Sequence, residues 1–305
     1  MAINADVPSA RFSRRVNKRK IWDYITSLIF VLPALINFAI FRYYPIIWAG
    51  RASLWDYSML GGFRNYLGLG NYQRMLTDRF FWQSMGVTVQ FFLMYVPPIV
   101  ILALALAVFS NQKKPGMGAI RAIIFIPVVT SFVVVSIVWG MLLNRDVGLI
   151  NGMLHSLGFS RMSFLLNPDR ALPTIAFISV WKNIGYSVII LAAGLKTIPG
   201  TFYEAAIVDG ANGWQRFINI TIPLIMRQLM FVTVMATLGA FQVFVPVYSL
   251  TAGGPRRATN VIVYHIYNRA FTFGEMGYAS AMSIVLLFVL LMVSLVQMRL
   301  FKRDY

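Results

Sequence analysis

Residues 85–109 read MGVTVQFFLMYVPPIVILALALAVF and contain no charged side chain. A helix needs about 20 apolar residues to cross the roughly 30 Å of hydrocarbon in a bilayer. Lipid offers the backbone no hydrogen-bond partners, so a crossing segment must satisfy its own amides and carbonyls. This stretch therefore predicts a transmembrane helix.

Further apolar segments of comparable length occur along the 305 residues. Charged residues make up 12% of the chain and the mean hydropathy is +0.69, which leaves too little polar surface for a soluble protein of this size. The alternation typical of membrane β-strands is missing. We predict an all-α polytopic membrane protein with six transmembrane helices, at residues 25–48, 85–109, 121–143, 173–195, 218–247 and 279–300.

The excess of basic residues, a net charge of +17, is arranged around these segments. Basicity of this size can indicate nucleic-acid binding, but Lys and Arg beside apolar spans mark the cytoplasmic side of a membrane. An even number of spans puts both termini on that side, so we expect both in the cytoplasm. The expected organisation is a basic tail at 1–24, one transmembrane domain at 25–300 and a short tail at 301–305, with further inside loops at 110–120 and 196–217.

The sequence lacks the common motifs for catalysis, metal binding and nucleotide binding. It has no Cys, which excludes disulfides and thiol nucleophiles. His155 and His265 lie in predicted outer loops without the carboxylate spacing of a metal site. No P-loop, nucleophile elbow or zincin motif occurs. We predict that the chain is not an enzyme and binds neither a metal nor ATP itself.

A short polar segment at about 197–217, which we call the island, lies between the fourth and fifth spans and contains EAAIVDGA at residues 204–211. Thr201 and Glu204 have the spacing of a capping box, and Gly210 permits a turn. The pattern predicts a helix, a turn and a second helix at about 197–217. Small alanines let such a helix enter a groove on another protein. The alternative is that Glu204 only caps, Asp209 is only solvated and the alanines only favour helix.

The island resembles the cytoplasmic signature of ABC importer permeases, of the binding-protein-dependent sugar and glycerol-phosphate type. In that family the segment contacts the ATPase, so the resemblance assigns coupling to these positions: Glu204, Ala205, Ala206, Asp209, Gly210, Ala211, Phe217 and Pro223. The similarity extends over almost the whole chain, through GLGNY at 68–72, GLIN at 148–151, FQVF at 241–244 and LTAGGP at 250–255. The chain departs from the family pattern at Arg227, where a second Pro is common, and at Val245, where many sugar permeases have an acid.

The resemblance implies a permease subunit that forms half of a pathway for a carbohydrate or carbohydrate-like solute. It implies a second permease subunit, an ATPase dimer that binds the ATP and magnesium, and an extracytoplasmic solute-binding protein. It places the chain in the cytoplasmic membrane of a bacterium or archaeon, in contact with lipid and not with nucleic acid. The chain itself then binds no cofactor.

Polar residues within the predicted spans are candidates for the substrate pathway. Lys182 lies mid-span, where a Lys costs roughly 2.5–3.5 kcal/mol, so it should face the bundle or a wet cavity. There it either contacts a polar or anionic substrate or pairs with backbone carbonyls or a neighbouring subunit. Asn183 and Gln242 can donate and accept hydrogen bonds, as sugar hydroxyls require, or can join helices to each other. Phe241 and Phe244 flank Gln242 and offer rings that can stack on a sugar, or pack in the core.

A self-sufficient secondary transporter or channel for a small polar solute is the alternative function. Ion-coupled transporters use carboxylates buried within the membrane. The acidic residues of this chain lie in loops or near the ends of spans. The sequence therefore favours a permease whose energy comes from another subunit.

Overall fold

The structure is a computed structural model that describes residues 18–112 and 114–301. Most of the predicted tail at 1–24 and of the tail at 301–305 lies outside the described residues. The chain divides into two compact units, residues 1–51 and 52–305. The first unit is helical: α1, Lys18–Phe38, passes through a π-helical turn, Ala39–Tyr43, into α2, Tyr44–Ala52. Its apolar side chains are exposed, Phe30 by 81%.

A β-hairpin follows, which the all-α prediction did not include. Strands β1, Trp55–Ser58, and β2, Gly62–Tyr66, pair antiparallel around a turn where Gly62 has a φ of +64°. Aromatic residues on both strands favour extended backbone and pack edge to face across the pair. The next helix, α3, Gly70–Thr77, carries Asn71, whose amide donates to the carbonyls of Ser53 and Trp55 at 2.8 and 3.1 Å. Asn71 therefore fixes the start of the hairpin.

The remaining described residues form twelve more helices. In chain order they are α4 Arg79–Ser110, α5 Met117–Val129, α6 Phe132–Leu142, α7 Leu149–Ser156, α8 Pro168–Lys196, α9 Gly200–Val208, α10 Gly213–Arg216, α11 Ile222–Leu224, α12 Met226–Phe241, α13 Val245–Leu250, α14 Ile262–Tyr267 and α15 Met276–Phe301. π-helical turns at Phe217–Thr221 and Asn268–Thr272 follow α10 and α14.

Helix α8 lies at the centre of the second unit, between α4, α5 and α12, and α15 packs against α12. Lipid tails are as apolar as Leu, so close packing rather than exclusion of water holds membrane helices together. Gly185 shows this packing, because a Cβ at that position would collide with the Ile124 carbonyl and lie 2.9 Å from Val128 Cγ2. The missing side chain lets α5 and α8 approach closely.

The predicted spans correspond to four long helices and two bent pairs. Within the described residues, Ile25–Ala52, Arg79–Ser110, Pro168–Lys196 and Met276–Phe301 are each long and apolar enough to cross a membrane. The predicted span 121–143 breaks between α5 and α6, which bend by 97°, and 218–247 breaks at Ile225 with a bend of 71°. The part of the chain that the structure describes thus has four helices able to cross a membrane, or up to six if each bent pair is one span.

The first of these breaks has a local cause. Pro127 has no N–H to donate, and both the N–H and the hydroxyl of Thr130 turn back to its carbonyl, at 3.4 and 2.7 Å. Thr130 and Ser131 are extended, and α6 starts again at Phe132. The break places Phe132 beside α8, where the candidate pathway residues lie.

Candidate functional site

The polar island forms the predicted helix, turn and helix. Helix α9 ends in a Schellman motif, in which the Gly210 N–H donates to Ile207 at 3.0 Å and the Ala211 N–H donates to Ala206 at 2.8 Å. Gly210 has a φ of +78°, which suits glycine. The glycine of DGA is therefore the residue that ends the helix and turns the chain.

The capping box lies at a different place from the one predicted. Helix α9 starts at Gly200 with Pro199 as its N-cap and no side-chain cap, so Thr201 lies inside the helix and the proposed Thr201–Glu204 box is wrong. Pro199 already sets the extended backbone that precedes a helix. The box instead joins Asn212 and Gln215 at the start of α10, with reciprocal bonds of 2.9 and 2.8 Å.

The island exposes both its charges and its apolar side chains. None of the residues of α9 or α10 is buried. Glu204 and Asp209 are exposed, and neither forms an ion pair within residues 18–112 and 114–301. Val208 is 88% exposed and Trp214 70%. Apolar side chains grouped with charges at a surface are typical of a protein contact site.

The island is attached to the membrane helices through its inner side. The Tyr203 hydroxyl lies 2.9 Å from Thr221 Oγ1, and the Trp214 and Phe217 rings are 5.6 Å apart. A cavity of about 240 Å³ lies between the island and the ends of α4 and α8, lined by Tyr203, Arg216 and Phe217 among others. Phe217 and Pro223 thus belong to the connection that joins α10 to α12, whereas Glu204 and Asp209 lie on the outer surface.

A second cavity, of about 230 Å³, lies among the membrane helices where α12 gives way to α13. It contains three of the five candidate pathway residues: Asn183, Gln242 and Phe244. The full lining is Phe91, Tyr95, Phe132, Ser179, Asn183, Gly239, Gln242, Val243, Phe244, Val245 and Pro246. None of these side chains is charged, so the lining combines neutral hydrogen-bonding groups with aromatic rings.

The other two candidates lie elsewhere. Lys182 donates to the Val128 carbonyl at 3.2 Å, and its Nζ lies 5.5 Å from the centre of the Phe132 ring, whose side chain lines the cavity. Phe241 is 6% exposed and packs on Phe92 at 5.7 Å in a core cluster with α15. The backbone pairing of Lys182 is one of the two roles expected from the sequence.

Tyr95 also lines this cavity and was not among the predicted pathway residues. Its hydroxyl accepts from the Asn183 amide at 3.1 Å, and its ring stacks on Phe91 at 5.6 Å. A Tyr in an apolar span is ordinarily lipid-facing or packed. Tyr95 is also 88 positions from Asn183, so the sequence did not indicate that the two residues are in contact. The pair orients the Asn183 amide at the cavity.

A charged network lies at the other end of α4. Arg269 lies 3.6 Å from Asp78 and 3.2 Å from Glu275, and Glu275 also pairs with Arg74 at 2.8 Å. Burial raises the pKa of Asp78, but hydrogen bonds from Tyr278 and from the Phe80 N–H, with the charge of Arg269, more than offset burial and hold that pKa below its ordinary value. The network ties the start of α4 to the start of α15.

His265 lies in α14 near this network and is buried. Burial first, and the charge of Arg269 second, lower its pKa to about 4. The unfolded chain, with a His pKa of about 6.5, takes up the proton first. The contribution of His265 to folding stability is therefore complete above about pH 6.5 and is lost as the pH drops toward 4. We expect the thermal unfolding temperature in detergent to fall across this window, and the slope to flatten in His265→Phe.

The exposed His155 supplies the control for this prediction, because His155→Phe removes an imidazole outside the core. That variant should keep the slope of the parent chain. An unfolding temperature of His265→Phe that depends on pH as steeply as that of the parent would show that another group controls acid stability.

No group of three His, Asp or Glu residues suited to a metal occurs within residues 18–112 and 114–301.

Several apolar helices that can cross a membrane, a polar exposed island and an uncharged cavity between the helices define a multi-pass membrane permease. Residues 67–304 match the family described as binding-protein-dependent transport system inner membrane component. The chain belongs to this family, which confirms the resemblance: it is a membrane permease subunit of an ABC importer, a non-enzymatic component that works with a separate ATPase.

Three proteins are similar to this chain over nearly their whole length. The probable ABC transporter permease protein YurN of Bacillus subtilis is 35% identical, over 94% of this chain and 98% of that one. The trehalose/maltose transport system permease protein MalF of Thermococcus litoralis is 34% identical, over 90% and 93%. A chain of a bacterial alginate ABC transporter, crystallised with a pentasaccharide-bound periplasmic protein, has a TM-score of 0.80 and 25% identity over 94% of this chain and 99% of that one.

Proposed function

We propose that this permease subunit forms half of the translocation pathway for a neutral carbohydrate. The observation that carries the proposal is the cavity that holds Asn183, Gln242 and Phe244. Amide groups donate and accept at once, which matches the hydroxyls of a sugar, and an aromatic face matches the apolar face of its ring. The uncharged lining favours a neutral solute over an anionic one.

A second permease subunit completes this pathway in our proposal. Sites for small molecules usually enclose about 300–1,000 Å³, and the cavity in this chain is smaller, at about 230 Å³. A facing chain would supply the other wall. The trehalose/maltose relative and the alginate importer support a carbohydrate cargo, delivered by an extracytoplasmic binding protein.

The island is where we propose that the ATPase dimer binds. ATP and magnesium are then held by that dimer, and this chain binds no cofactor. The dimer closes on ATP and moves α9 and α10 as one body, because the Schellman motif and the Asn212 cap fix the turn between them. Tyr203 and Phe217 pass the motion to α12. This motion is a shift between two conformations of the membrane helices. A ligand causes such a shift only if it binds the two conformations with different affinities.

The proposed topology has six spans, with each bent pair counted as one, and both termini in the cytoplasm. The basic residues that flank the spans, and the length and apolar character of the helices, support this arrangement. The membrane is the cytoplasmic membrane of a bacterium or archaeon, and the exposed apolar side chains of α1, such as Ile29 and Phe30, contact lipid or the second permease.

The test is uptake by the intact importer, with both permeases, ATPase and binding protein, in vesicles that contain ATP. We expect uptake of neutral sugars, with maltose and trehalose as probes, to exceed uptake of a charged alginate oligosaccharide. Asn183→Ala and Gln242→Ala should each lower maltose uptake by about 2- to 12-fold, the effect of one hydrogen bond.

The matched control is Gln83→Ala, since Gln83 is exposed at the start of α4 and lies outside the cavity. Unchanged uptake in both cavity variants would rule out the cavity as the pathway. Flux through this chain alone, driven by a gradient without the ATPase, would instead support a secondary transporter or channel.

A further inference from the structure

A row of aromatic rings continues from the cavity along α13 and α14. Phe244 stacks on Tyr248 with ring centres 5.4 Å apart and planes at 25°. Tyr267 lies 5.0 Å from Phe244 and 5.6 Å from Tyr248. Phe271 then lies 5.0 Å from Tyr267. Each ring touches the next, so the row is continuous.

The two ends of the row lie in different places. Phe244 lines the cavity between the membrane helices. Tyr248 lines a separate cavity of about 270 Å³ beside the LTAGGP loop, with Leu165, Thr251 and Pro255. Phe271, in the π-helical turn after α14, is 59% exposed. The row therefore joins the membrane cavity to the surface at the loops.

These rings are held in place but not buried. Tyr248 is 50% exposed. The buried ring of Tyr264 lies behind them, 6.3 Å from Phe244 and 6.4 Å from Tyr248, and forms a rigid backing. A ring with one face packed and the other open can bind a flat apolar surface at little entropic cost, because its rotamer is already fixed.

We propose that Phe244, Tyr248, Tyr267 and Phe271 form a stacking path along which carbohydrate rings pass from the loop surface into the membrane cavity. This inference rests on the proposed function. A pyranose has faces of C–H groups and an edge of hydroxyls, so aromatic rings bind its face and tyrosine hydroxyls bind its edge. Ring centres 5.0–5.6 Å apart let a sugar contact the next ring before it leaves the last.

Weak and repeated contacts suit a transport path. Conduction requires binding that is favourable enough for entry and weak enough for release at each step. Four similar rings supply such steps without a deep site. The absence of charge from all four rings agrees with a neutral solute.

The experiment compares ring removal with ring retention in the intact importer, with maltose and trehalose as probes. Tyr248→Ala, Tyr267→Ala and Phe271→Ala should each lower uptake at low sugar concentration by about 2- to 12-fold, the factor that one aromatic contact supplies. Tyr248→Phe and Tyr267→Phe keep the stacking surface and should retain most uptake. Phe288→Ala is the matched control, since Phe288 is 61% exposed on α15 and is not one of the four rings of the row.

Two further readouts separate the possible outcomes. ATPase activity stimulated by the binding protein and recovery of the assembled complex should be unchanged in the Ala variants. Loss of the complex would overturn the path and identify the row as a subunit contact. Normal uptake in the Ala variants, together with loss in Gln242→Ala, would overturn the path and leave the proposed function standing. Absence of sugar uptake by the parent importer would overturn both.

Discussion

In an importer that carries Glu204→Arg in this subunit, we expect the rate of sugar uptake to fall by about 30-fold or more. The reason is that loss of one partner of a desolvated charge pair at an interface costs about 2–5 kcal/mol of binding free energy. Glu204 lies exposed on α9 with no ion pair among the described residues, so its charge is available to a partner. Charge reversal adds repulsion to that loss. The defect should appear as reduced co-purification of the ATPase with the two permeases.

The control for this variant is Asp146→Arg, which makes the same change in charge at another exposed acid that forms no ion pair with any residue the structure describes. Asp146 lies between α6 and α7, far along the chain from the island. Glu204→Gln keeps the size of the side chain and should give an intermediate defect. Normal ATPase binding and uptake in Glu204→Arg would contradict the docking role of α9.

The apolar segments predicted the membrane helices because hydrophobic length is a property of a single segment. The bends between α5 and α6 and at Ile225 were not predicted. Hydrophobicity continues through both breaks, and the turn at Thr130 depends on hydroxyl and backbone bonds that composition does not record. The β-hairpin was missed for a similar reason, since its aromatic residues suit a loop at a membrane surface as well as a strand.

The local structure of the island and the lining of the membrane cavity could be predicted only where the residues concerned are close in sequence. Gly210 could be assigned to a turn from its type alone, whereas the choice between Thr201 and Asn212 as the cap depended on where α9 begins. Asn183 and Gln242 line one cavity, but Phe241 does not, because it still lies within α12 and packs toward α15. Tyr95 could be placed beside Asn183 only by the packing of α4 on α8.

Gly210→Val is expected to lower uptake by about 5- to 30-fold, since an L-residue in the left-handed region costs roughly 1–2 kcal/mol and a β-branched one more. A Cβ at Gly210 would meet no atom within 4 Å, so the cost comes from the φ of +78° and not from a clash. The chain would escape the strain by unwinding the end of α9, which breaks the bonds to Ala206 and Ile207.

Gly213→Val separates this backbone effect from the effect of added bulk. Gly213 lies three residues away at the start of α10, is exposed, has no positive φ and would also meet nothing within 4 Å of a Cβ. Both variants add the same side chain to the island, but only Gly210→Val opposes the turn. If both lowered uptake equally, bulk at the ATPase contact would be responsible. A defect confined to Gly210→Val, with ATP hydrolysis retained and uptake lost, would show that a fixed angle between α9 and α10 couples the ATPase to the membrane helices.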